Sequence, residues 1–157
     1  MVLNYRMFLF ILLLPDSAVI FAQNKKDAPP AVDASALGDD SVAAREFGQF
    51  FEEHTEKLNA INTELLKAET AKAAAIGVVR FTYVMSDMAR RGEVLDRRYP
   101  MAKGDMPPKL KEKSDAFTEA AQRLGAQGIR QAVTKFGETA EMKFAMEKLR
   151  NFGKTVK

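Results

Sequence analysis

The sequence predicts an all-α fold, an antiparallel four-helix bundle preceded by a signal peptide and a flexible tether. Apolar residues recur at alternating spacings of three and four, which is the period of a helix with one buried face. No stretch alternates apolar and polar residues as a half-buried strand does, and β-branched residues are sparse. From Ser41 no proline interrupts the pattern until Pro100, so the first half of the domain reads as continuous helix or as two helices.

Residues 1–22 have the composition of a secretory signal peptide. Arg6 precedes an apolar run over 7–14, and a second apolar stretch ends in Ala22. The uninterrupted run is shorter than the roughly 20 apolar residues that a membrane-spanning helix needs. We expect cleavage after Ala22, with an uncleaved anchor as the alternative because Ile20 is bulky where a small residue is favoured. A protein with this start is periplasmic or secreted.

Residues 23–40 are rich in Ala, Pro, Asp and Lys and show neither helical nor strand periodicity. This composition is typical of a disordered linker. The sequence therefore divides into a signal peptide or anchor over 1–22, a linker over 23–40 and a helical bundle domain over 41–157.

The first two predicted helices have separate apolar seams. The first helix is predicted to start near Asp39, Asp40 and Ser41, whose side chains can cap it. Its seam is Phe47, Phe51, His54, Leu58, Ile61, Leu65 and Ala68. The second seam is out of phase with the first and consists of Val78, Phe81, Met85, Met88, Leu95 and Tyr99. A turn near 69–77, where Gly77 is the only glycine, explains the change of phase. One long helix that shifts its buried face is the alternative.

Residues 99–108 are predicted to form a loop, and Pro108 suits the first turn of the third helix. Gly125 and Gly128 lower helix propensity in that helix and can mark a close approach to a neighbour. Its apolar residues are Leu110, Phe117, Ala121, Leu124, Gly128, Ile129, Val133 and Phe136. Thr139 can cap a fourth helix with the seam Met142, Ala145, Leu149, Phe152 and Val156.

An Ala-rich helix, the turn Gly137-Glu138 and a last helix ending in Gly153-Lys154 make up the C-terminal part. In these features residues 115–157 resemble the C-terminal helices of the cytochrome c′ family. The resemblance implies a helical bundle. It does not imply a haem, because Val156 stands where the first Cys of that family's covalent haem motif would be.

Composition and motifs exclude several kinds of catalytic site. The 157 residues contain no Cys and one His, which excludes disulfide scaffolds, thiolate metal sites, cysteine nucleophiles, covalent haem attachment and two-His zinc sites. No Walker loop, GxGxxG or GxSxG motif occurs, and no carboxylate pair lies on an apolar helix face where its pKa would be raised. We therefore expect a protein that is not an enzyme.

His54 is the one side chain that could act as an imidazole ligand, since it lies in the first seam between Phe51 and Leu58. Four-helix bundles bind haem between facing helices, and His with Met is a known axial pair. A structural His hydrogen-bonded to Glu53 or Glu56 is the simpler interpretation. We expect no cofactor, with haem as the alternative and His54 as its ligand opposite one of the methionines Met85, Met88, Met142 and Met146.

The basic side chains point to an anionic partner. Residues 41–79 carry 4 basic and 6 acidic groups, whereas 80–113 carry 9 basic and 5 acidic groups. Within the second set, two pairs of arginines lie seven residues apart, on one predicted helix face: Arg90, Arg91, Arg97 and Arg98. An exported protein does not normally meet nucleic acid, so we expect these residues to bind an acidic protein partner or an anionic envelope surface.

The same charge pattern suits a homodimer in which the acidic first helix of one copy meets the basic helix of another. The expected function is that of a non-catalytic, exported binding or structural protein. A haem-binding or electron-transfer bundle is the alternative.

Overall fold

A computed structural model describes residues 41–99 and 106–155. The elements in these residues are all helical, so the predicted all-α fold with four helices is confirmed. Helix α1 spans Val42–Leu66, α2 spans Ala71–Arg98 and α4 spans Ala140–Thr155. Helix α3 has three consecutive parts, which are the α-helical Pro108–Arg123, the π-helical Leu124–Ile129 and the α-helical Arg130–Phe136. The predicted signal peptide or anchor and the predicted linker lie outside the described residues.

Side chains at the helix starts explain where the helices begin. Ser41, Thr70 and Thr139 precede α1, α2 and α4, and each hydroxyl accepts the backbone N–H three residues later, at 3.0, 3.2 and 3.3 Å. Such caps satisfy N–H groups that have no partner inside the helix. Pro108 is the first residue of α3, where a missing N–H is tolerated. The predictions for Ser41, Pro108 and Thr139 are confirmed.

A turn over residues 67–70 separates α1 from α2. The predicted turn is therefore confirmed, at the early edge of the expected segment 69–77, and the alternative of one long helix is wrong. Gly77 lies inside α2 and is buried. A Cβ at this position would come within 2.7 Å of Leu65 Cδ2, so Gly77 permits close packing of α2 on α1.

The predicted seams form the core of the bundle. All seven residues of the first seam are buried, although Ala68 lies in the turn after α1. Five of the six residues of the second seam are buried, and Tyr99 is half-buried. In α4, Met142, Ala145 and Leu149 are buried and Phe152 is half-buried. Val156, the last residue predicted in that seam, lies outside the described residues.

Helix α1 lies between two neighbours. It packs against α2, which runs in the opposite direction, and against α3, which runs alongside it in the same direction. The rings of Phe51 and Phe117 lie 5.8 Å apart near the start of the α1–α3 contact, and Asn62 meets Gly128 further along. Helix α4 packs mainly against α2, so the remaining side of α2 is exposed.

The π-helical stretch in α3 was not predicted, and it changes which residues face the core. The spacing of Ala121, Leu124 and Gly128 would place 131 and 135 on the buried face. Instead Ala132 is buried and Phe136 is half-buried, each one position later, because a π-helical turn takes up more residues than an α-helical turn. The prediction of Val133 in the seam is wrong, since this side chain is exposed.

The expected close approach at Gly128 is confirmed. A Cβ there would lie 2.6 Å from Asn62 Oδ1 and 3.3 Å from Leu65 Cβ. A side chain at this position would therefore have to displace the buried Asn62 side chain.

Candidate functional site

Charged side chains join α1 and α2 in a ladder. Its four pairs are Glu46–Arg98 at 3.0 Å, Glu53–Arg91 at 2.6 Å, Lys57–Asp87 at 3.7 Å and Glu64–Arg80. Successive pairs are 7, 4 and 7 residues apart along α1 and 7, 4 and 7 residues apart in the reverse direction along α2. The ladder therefore keeps one register over most of the contact between these helices.

The structure divides the four predicted arginines into two pairs. Arg91 and Arg98 belong to the ladder and reach across to α1. Arg90 and Arg97 bind carboxylates on their own helix, at 3.0 Å and 2.6 Å, and each side chain is 78% exposed. The single arginine face expected from the sequence is thus corrected to two sides of α2, because residues one position apart point about 100° apart around a helix.

The ladder also places the acidic α1 against the basic α2 within one chain. The charge complementarity that suggested a homodimer is therefore already used inside the bundle and does not require a second copy.

The exposed side of α2 carries three large apolar side chains, which we call the outer line. Ile76 is 52% exposed, Tyr83 72% and Val94 51%. They lie 7 and 11 residues apart, so they point in nearly the same direction. From Ile76 to Val94 the line is about 27 Å long at 1.5 Å per residue. Arg90 and Arg97 lie beside it on the same side of the helix.

Sequence reasoning missed the outer line. The sequence feature that could have revealed it is that these three apolar residues lie outside the seam Val78, Phe81, Met85 and Met88. Isolated apolar residues are common on protein surfaces. The fact that these three residues lie along one side of α2 therefore indicates a candidate interface only when the structure shows which sides of α2 are covered by α1 and α4.

His54 is fully buried, and its carboxylate neighbour differs from the one predicted. Its Nδ1 donates a hydrogen bond of 2.7 Å to the backbone oxygen of Phe50, which fixes Nε2 as the bare nitrogen of the neutral ring. Among the described residues Nε2 has no hydrogen-bond partner, and it faces Asp87 Oδ2 at 3.7 Å. The expected hydrogen bond to Glu53 or Glu56 is therefore wrong, since the ring bonds the Phe50 oxygen and the carboxylate that faces Nε2 belongs to Asp87 of α2.

Burial lowers the pKa of His54 below its ordinary value, because the charged ring would lose its hydration. The Phe50 hydrogen bond and the charge of Asp87 raise this pKa, while Lys57 and Arg91 lower it, and the net shift is downward. His54 is therefore neutral near pH 7.

Two carboxylates around His54 are held in the ionised form. The hydrogen bond from Arg91 is the main cause that lowers the pKa of Glu53. Burial alone would raise the pKa of Asp87, but the Arg90 hydrogen bond and the charges of Lys57 and Arg91 lower it overall. The pKa of Arg91 is raised by Glu53 in return. The cluster is thus a neutral imidazole inside a network of paired charges.

The candidate haem ligands lie in a packed environment. Met85, Met88 and Met142 are buried in the core cluster, and Met146 is half-buried against it. The Phe50 ring lies 4.5 Å from the His54 ring, and the Asp87 carboxylate occupies the space in front of Nε2. Iron bound to Nε2, with its porphyrin, would have to displace Asp87 and separate α1 from α2 at this point. These residues as arranged do not fit a haem.

Residues 41–99 and 106–155 show neither a candidate membrane span nor a candidate metal site. No helix in this part of the chain is both long and apolar enough to cross a membrane. Within the same residues, no three His, Cys, Asp or Glu side chains come together in a group that could hold a metal ion.

No protein-family model matches the chain, and neither a curated protein nor a solved structure matches it.

Proposed function

We propose that the chain is a non-catalytic, exported helical bundle that docks an anionic partner through the exposed side of α2. The partner class comprises acidic proteins and anionic envelope surfaces. The observation that carries the proposal is the exposure of Arg90 and Arg97, which lie seven residues apart on the side of α2 that also exposes Tyr83. Arginine and tyrosine are the side chains most often enriched in the energetic centres of interfaces.

The pairing of Arg90 and Arg97 with Asp87 and Glu93 leaves them able to bind an anion. An exposed ion pair contributes at most about 1 kcal/mol, so an incoming carboxylate or phosphate can compete with it. A guanidinium also carries five N–H donors in a planar fork, which suits bidentate binding of such groups. The formal net charge of +3 adds a long-range attraction toward a negative partner.

The docking proposal is tested by reversing the two exposed arginines. The probes are the native envelope fraction and vesicles that contain phosphatidylglycerol, and the variant is Arg90→Glu with Arg97→Glu. We expect at least tenfold weaker binding to one of the probes, a steep loss of wild-type binding as salt rises, and an unchanged thermal midpoint.

The matched control is Arg123→Glu with Arg130→Glu on α3. These residues are also exposed and seven apart, so the change in net charge and in spacing is the same. Equal weakening by both double variants would show attraction by net charge alone and would overturn the proposal. Binding that responds neither to salt nor to the α2 reversal would overturn it as well.

The absorption spectrum of the native protein tests the absence of a haem. Because Asp87 and the Phe50 ring fill the space around His54, we expect no Soret band. A band that disappears in His54→Ala would replace the docking proposal with the haem alternative.

Export is proposed from residues 1–22, which contain a basic start, a short apolar run and Ala22 at the expected cleavage position. We expect N-terminal sequencing of the mature protein to begin at or near Gln23. Recovery of the uncleaved chain in the cytosolic fraction would contradict this part of the proposal.

A further inference from the structure

The outer line of α2 indicates what kind of anionic partner the bundle binds. Resting on the proposed function and narrowing it, we infer that the partner is a protein that presents an amphipathic helix with acidic flanks. This helix lies lengthwise on Ile76, Tyr83 and Val94.

The shape of the outer line fits a helix. Its three side chains follow spacings of 7 and 11, and they point within about 20° of one another around the α2 axis. A helix that lies lengthwise on α2 can contact all three, because residues 7 and 11 apart recur along one face of a helix. The exposed Tyr83 near the middle supplies a large, stiff side chain that a neighbouring helix can bury.

One edge of the outer line is basic and carries Lys72, Arg90 and Arg97. The other edge carries Arg80, Asp87 and Arg98, which pair with Glu64, Lys57 and Glu46 of α1. In paired helices, charges that flank the apolar stripe select the partner. Acidic residues at the flanking positions of the incoming helix would meet this basic edge.

A second copy of the chain is a poorer occupant. When two α2 helices lie antiparallel with Ile76 of one copy opposite Val94 of the other, Lys72 of each copy lies next to Arg97 of the other along the same edge. Like charges placed opposite one another are destabilising. The charge pattern therefore favours an acidic partner over self-association.

A lipid surface is also a poorer occupant. Helices that lie in a membrane interface bury a broad apolar face, whereas the outer line is one side chain wide between charged edges. Among the proposed anionic partners, the geometry therefore favours a protein helix.

The test uses the full chain and a designed probe. The probe is a helical peptide with Leu at stripe positions and Glu at the flanking positions, and its control is a scrambled peptide of equal composition. The variant is Tyr83→Ala with Val94→Ala, and the matched control is Phe144→Ala, another exposed apolar side chain, on α4. Titration calorimetry measures binding, and vesicles that contain phosphatidylglycerol provide the lipid comparison.

We expect the stripe peptide to bind at least tenfold more tightly than the scrambled peptide and more tightly than the vesicles. The double variant should bind the stripe peptide at least tenfold more weakly than the wild type does, and Phe144→Ala should bind it less than twofold more weakly. Equal binding of the two peptides, or no effect of the double variant, would overturn the inference. Self-association that Tyr83→Ala abolishes would replace the partner with a second copy.

The outcomes separate this inference from the proposed function. If reversal of Arg90 and Arg97 weakens binding to vesicles or envelope but loss of Tyr83 and Val94 does not, the bundle docks an anionic surface and the helical partner is wrong. If neither change weakens binding to any probe, both the docking proposal and the helical partner are wrong.

Discussion

The side chain of Asn62 on α1 accepts the backbone N–H of Gly128 on α3 across 3.0 Å, in a buried position. Gly128 belongs to the π-helical stretch, and its lack of a side chain leaves room for the Asn62 amide. One polar side chain and one missing side chain thus fix the register of α1 against α3.

Replacement of Asn62 by Ala should lower the free energy of unfolding by about 1–3 kcal/mol, because it removes a buried acceptor and leaves a small void. Urea denaturation measures the change. Gln131→Ala is the control, since Gln131 also bonds α1, through the Leu66 oxygen, but in an exposed position. Equal losses in the two variants would contradict the special role of the buried bond.

Replacement of Gly128 by Ala should destabilise the fold by about 1–3 kcal/mol, because the new Cβ would collide with Asn62 Oδ1. The gain in helix propensity of about 1 kcal/mol is too small to offset this cost. Gly48→Ala is the matched control, since a Cβ there meets only the flexible end of Lys113. We expect that variant to be as stable as the wild type or more stable. A thermal midpoint that rises in Gly128→Ala would contradict the collision.

The only His of the chain should titrate below pH 6.5, because burial lowers the pKa of His54. In the unfolded chain the ring takes up a proton near pH 6.5, whereas in the folded chain it resists protonation until the pH is lower. The free energy of unfolding should therefore fall as the pH drops below about 6.5, down to the folded pKa.

Proton NMR follows this titration directly, since a single His gives an unambiguous ring signal. In His54→Gln the loss of stability between pH 6.5 and 5 should be smaller than in the wild type. The pKa values of Glu53 and Asp87 are also lowered, so the free energy of unfolding should fall a second time, but only below the ordinary carboxyl pKa values of 4.5 and 3.8. A folded-state midpoint above 6.5 would contradict the prediction.

A charge exchange tests the ladder. Glu53→Arg alone should destabilise the fold, because it places a cation against Arg91. Arg91→Glu alone should also destabilise the fold, because it places a second carboxylate against Glu53. The double exchange should recover most of the loss, with a coupling of about 0.5–1 kcal/mol that declines in 1 M salt. The measurement is a double-mutant cycle by urea denaturation. Additive losses in the cycle would show that the pair is not coupled.

The sequence predicted the buried faces well because each seam depends on spacing within one helix. Phe47, Phe51, Leu58 and Leu65 reveal their common face without knowledge of any neighbour. The π-helical stretch contains Gly128, which bonds Asn62 from a distance of 66 residues along the chain. No local pattern distinguishes this stretch from ordinary helix.

The ion-pair partners of the α2 arginines could not be identified from the sequence either. Their assignment needs the register of α2 against α1, and that register follows from the turn at 67–70, which was predicted only approximately. Arg91 and Arg98 therefore appeared to share one surface with Arg90 and Arg97, although their guanidiniums bind Glu53 and Glu46. The same lack of register concealed Asp87 as the neighbour of His54.

The ladder also sets an order in which the first two helices can come together. Glu64 and Arg80 are 16 residues apart along the chain, Glu53 and Arg91 are 38 apart, and Glu46 and Arg98 are 52 apart. Once the pair nearest the turn has formed, each later pair closes only the short additional length of chain beyond the last contact, so its entropic cost is small. The contact between α1 and α2 can therefore form progressively from the turn toward Glu46 and Arg98. The hairpin of these two helices can assemble before α3 and α4 pack against it.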